Sequence, residues 1–202
     1  MSGARSRGVG PACAVAAVAS LAAVAGGLAA GADAAEGWQL AARYTARLAF
    51  PIFLAAFVAS PWHRLRPGPA SRWLLRHRRA VGLAFATVFA AHLVSLVTFN
   101  VLEGTVPDAP TLVVGGGALL ATALMAATSN DAAVRALGAT RWRRLHTVGV
   151  WWLWLVFTIT YGGRVARSPD FFAVFALACV AALALRIAGR RGRTPARLAD
   201  AA

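Results

Sequence analysis

Six stretches of this 202-residue chain run for about 17–22 residues with almost no charge. That is the length a helix rising about 1.5 Å per residue needs to cross roughly 30 Å of hydrocarbon. They span residues 11–32, 44–60, 80–101, 111–128, 145–161 and 171–188. Inside lipid no water is available to backbone N–H and C=O groups, so each stretch must satisfy its own as a helix. A β-barrel would need shorter, alternating segments, which the sequence lacks. The expected fold class is an all-α integral membrane protein, a six-transmembrane-helix bundle over residues 11–188. A short N-terminus (1–10) precedes it and a basic tail (189–202) follows.

The charges orient this bundle. All 21 basic residues are arginine, against 7 acidic ones. Such a surplus often signals nucleic acid, but here the arginines sit in short tracts between apolar blocks, so no nucleic-acid partner is expected. Arg5 and Arg7 precede the first segment. Arg64, Arg66, Arg72, Arg76, Arg78 and Arg79 separate the second from the third. Arg135, Arg141, Arg143 and Arg144 separate the fourth from the fifth, and Arg186, Arg190, Arg191, Arg193 and Arg197 end or follow the sixth. The intervening loops carry Asp33, Glu36, Glu103, Asp108 and Asp170, with Arg164 and Arg167 as exceptions. By the positive-inside rule the arginine-rich end, and with it both termini, faces the cytoplasm of a bacterial inner membrane.

The first segment supports a second reading. Arg5 and Arg7, an apolar run and Ala32-Asp33-Ala34 before Ala35 also fit a signal peptide with its cleavage site. The run is long for that purpose, which favours a retained helix, and Gly27 and Gly31 form a GxxxG suited to close helix contact. Gly115-Gly116-Gly117 in the fourth segment lacks the Lys and Ser/Thr of a phosphate loop and reads as another close-packing patch. No dinucleotide fingerprint follows a strand, so no flavin or nicotinamide site is expected. Cys13 and Cys179 lie far apart in apolar runs, with neither CxxC nor zinc spacing, and read as small apolar residues.

Four histidines remain as candidates for chemistry. His63, His77 and His146 fall at the arginine-rich boundary. His92 lies about 20 Å beyond Arg79 along its helix, well inside the bilayer. An ionisable group at that depth is costly and marks function by default. Neutral imidazole is a good iron ligand, so haem is one use; a hydrogen bond to Ser95, Asn100 or a nearby carbonyl is the structural alternative. Trp142 suits an interfacial belt, while Trp151, Trp152 and Trp154 lie deeper, as core or as the wall of a planar cofactor. Arg43 and Arg47, one turn apart at the other end of the second segment, can bind an anionic headgroup, a quinone carbonyl or a haem propionate, or can snorkel to the interface.

Two ordered motifs carry a family resemblance. Arg78-Arg79-Ala80-Val81-Gly82-Leu83 followed by His92 resembles the RRxxGL…H signature of the ferric-reductase-like transmembrane domain. Thr128-Ser129-Asn130-Asp131, then Val134 to Gly138, then Arg141-Trp142-Arg143-Arg144-Leu145-His146 resembles its entry into the fifth helix. The nearest group is the bacterial haem-binding membrane subunits of periplasmic methionine sulfoxide reductase systems, and the resemblance covers about residues 40–165. It implies a six-helix bundle that holds haem b between its third and fifth helices and passes electrons across the membrane. His92 and His146 would then be haem ligands. The electron donor would be a quinol or a separate reductase, and a periplasmic partner would stand on the other side. One departure stands out. The family's second histidine on the fifth helix, thirteen or fourteen residues past the first, is replaced here by Ile159 and Thr160. His92 and His146 then differ in depth by most of a helix, a poor pair for one haem. His77 beside His146, or Tyr161 at the depth of His92, are the remaining ligand combinations. A haem-free structural or partner-binding subunit descended from this fold is the alternative. A transporter is a weaker reading, because no acidic residue lies within a span.

Overall fold

The computed structural model describes residues 8–191. Arg5, Arg7, Arg193 and Arg197, and with them most of the expected terminal segments, lie outside the described residues. Among the described residues the chain is helical throughout and has no strand. The helices are α1 (Val9–Ala30), α2 (Ala34–Leu65), α3 (Pro69–Leu102), α4 (Ala109–Ala127), α5 (Asp131–Leu137), α6 (Ala139–Val165) and α7 (Pro169–Arg191). Five of them, α1, α2, α3, α4 and α7, are long and apolar enough to cross a membrane. The remaining long helix, α6, carries the fifth apolar segment but opens with Arg141, Arg143, Arg144 and His146, and it is not among those five.

Local chemistry sets the helix ends. Asp33 accepts a hydrogen bond from the N–H of Glu36 at 2.8 Å, and Glu36 reaches back to the N–H of Ala32 at 2.8 Å, so the two side chains satisfy donors at the start of α2. This reciprocal cap starts α2 ten residues before the apolar segment that marks it in the sequence. Asp108 and Asn130 cap α4 and α5 in the same way, accepting from Thr111 and Ala133. Pro69 opens α3, where its missing N–H costs nothing. Gly138, with φ +76°, turns the chain from α5 into α6, a conformation that other residues rarely adopt.

Helix α2 is the axis of the bundle: α1, α3 and α7 all pack on it, while α6 packs on α7 and α4. Lipid supplies no hydrophobic drive for helix association, so close approach has to come from small residues. A β-carbon on Gly27 would fall on the backbone of Ala41, and one on Gly31 on that of Gly37, as the GxxxG suggests. Gly117, within the triple glycine, lies under the Trp152 indole, and Gly149 under Met125; these contacts join α4 to α6. The core between α2, α3, α6 and α7 is aromatic. Phe53 meets Phe57, Phe85 and Phe157 at ring-centroid distances of 5.5, 5.6 and 5.1 Å. Cys179 is fully buried and Cys13 half-buried, and neither forms a disulfide, as expected of small apolar residues.

The outside of the bundle is apolar. Val18, Val97, Leu120, Val148 and Leu177 are all more than half exposed, on five different helices. A water-soluble chain would not leave so continuous an apolar surface; here it forms the lipid-facing belt of an integral membrane protein.

Replacing Gly27 with Leu should destabilise the bundle by about 1–3 kcal/mol through overpacking against α2. The same change at Gly116, where nothing lies within 4 Å of the added carbon, should not. Thermal unfolding of the two variants in detergent checks the difference.

Candidate functional site

His92 projects from α3 toward α2. Its Nδ1 lies 2.9 Å from the backbone oxygen of Ala42 and 3.5 Å from Thr45 Oγ1. The carbonyl can only accept, so Nδ1 carries the proton. Thr45 is fully buried, and its hydroxyl already donates to the Ala41 oxygen at 2.7 Å, so it buttresses the ring rather than competing for it. The carbonyl alternative expected for His92 is the one realised; Ser95 bonds its own helix at Ala91 instead. This contact leaves Nε2 with a lone pair. Metal-ligating histidines are commonly oriented in this manner, one nitrogen held by a backbone carbonyl and the other presented to the metal.

His146 lies at the arginine-rich end, half-buried and stacked on Trp142 with ring centroids 4.2 Å apart. Its Nε2 is 3.0 Å from Thr128 Oγ1. That hydroxyl spends its own proton on the Leu124 oxygen at 2.6 Å, so Nε2–H donates to it. Trp142 Nε1 donates to the Thr128 oxygen at 2.9 Å. The Thr128…Trp142…His146 part of the motif is therefore a hydrogen-bonded corner joining the end of α4 to the start of α6.

That corner borders a cavity of about 600 Å³ between α2, α3, α4 and α6, within the size range of small-molecule sites. Its inner wall is apolar, formed by Phe53, Phe85 and Leu153, and its mouth is cationic. Arg79, at the mouth, lies 3.8 Å from Asp131 at the start of α5. Arg186 reaches in from α7, with its guanidinium 4.1 Å from the Phe57 ring centroid and 5.0 Å from that of Trp151.

The structure does not bring the remaining candidates into one site. His92 does not line the cavity that His146 borders. His77 stacks on Trp73 at 4.5 Å and bonds the Trp73 oxygen, away from His146. Tyr161 is buried and donates to the Ala46 oxygen at 3.4 Å, one turn along α2 from the carbonyl that holds His92. Phe157, Phe172 and Phe175 stack around its ring. Arg47 lies over the Phe171 ring at 4.6 Å, while Arg43 is exposed. Thr160 is the residue fourteen past His146, about four turns on and so on nearly the same face; Ile159 is more than half exposed. Sequence reasoning missed Arg186 and Thr122, which both line the cavity; no motif marks either.

For a b-type haem the fit is divided. His92 has the tautomer of an axial ligand. His146 has its Nε2 committed to Thr128, and the cavity it borders is lined by Arg76, Arg78 and Arg79 and not by His92.

No family model matches the chain, and no solved structure matches it. A curated protein does: the protein-methionine-sulfoxide reductase heme-binding subunit MsrQ of Azospira oryzae. It is 33% identical over 114 residues, an alignment covering 48% of this chain and 44% of that protein. The chain thus matches less than half of the relative's length. The similarity agrees with the resemblance carried by the RRxxGL…H and RWRRLH motifs.

Histidine-selective ¹⁵N NMR in micelles should report His92 as the Nδ1–H tautomer and His146 as the Nε2–H tautomer. Thr128→Val should disturb the His146 signals and leave those of His92 unchanged.

Proposed function

We propose that this protein is a membrane electron-transfer subunit that binds haem b through His92, in a bundle of six spans with both termini on the cytoplasmic side of a bacterial inner membrane. The observation that carries this reading is the Nδ1–H contact from His92 to the Ala42 carbonyl, which leaves Nε2 uncommitted deep in the bundle. The relative named as a heme-binding subunit supports it. Haem, when bound, supplies a one-electron couple. The chain's own part is to hold and orient. The Ala42 carbonyl fixes the tautomer of His92, Thr45 Oγ1 lies 3.5 Å from the same nitrogen, and Phe89 packs beside the ring with centroids 5.9 Å apart. With no flavin or nicotinamide site of its own, the protein would take electrons from a quinol or a separate reductase and give them to a periplasmic partner. Arg43, exposed near the opposite end, is suited to steer an anionic group there, whereas Arg47 is held against Phe171.

A second reading has its own support. Thr160 and Ile159 stand where a second histidine would be, and His146 is bound to Thr128. Both favour a haem-free subunit that keeps the bundle as a structural or partner-binding element.

A reduced-minus-oxidised spectrum of protein produced with added haem separates the two. The first reading expects b-type bands that His92→Ala abolishes and His146→Ala leaves in place. Absence of bands at every stoichiometry selects the haem-free subunit, and bands that survive His92→Ala move the ligand elsewhere.

A further inference from the structure

The cavity at the arginine-rich end has features that neither reading uses. Five arginines line it, Arg76, Arg78, Arg79, Arg143 and Arg186, against one carboxylate, Asp131. Among the described residues, two buried side-chain atoms lack a hydrogen-bond partner, Arg79 Nε and Thr122 Oγ1, and both residues line this cavity. Buried polar groups normally find partners, and Thr122 is only 6% exposed, so two unmet groups on one cavity describe a missing ligand. They also describe its shape. Arg79 stands at the mouth beside Asp131. Thr122 lies about 8 Å into the bundle from the end of α4, five residues at about 1.5 Å each. Beyond them the wall is Phe53, Phe85 and Leu153. The ligand must be anionic at the mouth, offer a neutral acceptor deeper in, and end in apolar surface. A free phosphate satisfies the first requirement only. A glycerophospholipid satisfies all three with its phosphate, ester carbonyl and acyl chain.

We propose that this cavity seats one anionic phospholipid from the leaflet at the arginine-rich end, with the phosphate on Arg79, an ester carbonyl accepting from Thr122, and an acyl chain along Phe53 and Phe85. Basic recesses between membrane helices suit such headgroups. The inference needs the membrane setting and not haem, so preparations with and without haem should bind lipid alike.

Native mass spectrometry of the full chain in neutral detergent tests it, with phosphatidylglycerol, phosphatidylcholine of the same chains, and inorganic phosphate as probes. One phosphatidylglycerol should be retained, about tenfold more tightly than phosphatidylcholine, and inorganic phosphate should not displace it. Arg79→Gln should erase the preference for the anionic lipid. Thr122→Val should weaken both lipids without lowering the melting temperature, since an isosteric apolar group replaces an unpaired hydroxyl; this variant keeps the test open if Arg79→Gln fails to fold. Equal retention of the two lipids, displacement by inorganic phosphate, or wild-type binding by Thr122→Val would each overturn the proposal.

Discussion

The bundle hangs on the backbone of one helix. Three other helices reach α2 by donating to its carbonyl oxygens: His92 of α3 to Ala42, Tyr161 of α6 to Ala46, and Arg186 of α7 to Phe57 at 3.5 Å. The fourth neighbour, α1, comes so close at Gly27 that no side chain separates it from Ala41. The Phe57 carbonyl is available because Pro61, four residues on, has no N–H to give it. In a medium without water a freed carbonyl has to be met by another part of the protein. Arg186 meets it and spreads its own charge over Phe57 and Trp151, which allows a guanidinium to sit inside the bundle with no ion pair to an acidic side chain among the described residues.

Much of this was legible in the sequence, because the bilayer imposes a length on every element that crosses it. The apolar segments predict the long helices, and GxxxG predicts a close helix contact, which the structure makes with α2. The segments also mislead in two places. They begin α2 at residue 44, because Arg43, Gln39 and Glu36 interrupt the apolar pattern, whereas the Asp33–Glu36 cap extends the helix back to Ala34. They also leave the short α5 as a loop, since seven residues show no clear period; its start is marked only by the Asn130 cap.

The candidate site was legible in part. Depth along α3 singles out His92, and the structure gives it a defined partner. That partner, Ala42, could not be read from the sequence, because a backbone carbonyl is present at every position and only packing selects one. The cavity was invisible for a related reason. Its cationic mouth is built around Arg76, Arg78 and Arg79, which in the sequence belong to a loop that reads as a topology signal, and its inner polar group is a threonine within an apolar run. Residues chosen for orientation can also recognise a ligand, and a one-dimensional pattern does not separate the two uses.

The place of α7 has a consequence for how the chain is made. Helices α1, α2 and α3 are consecutive and pack on one another, so their contacts become available early in synthesis and close only short loops. Such local pairings form readily. Helix α7 packs on α2 across more than a hundred residues, and its arginine fills the gap left by Pro61. Among the described helices α7 therefore waits longest for its partner, and a ribosome that stalled before residue 186 would leave an open-sided bundle with the Phe57 carbonyl unmet.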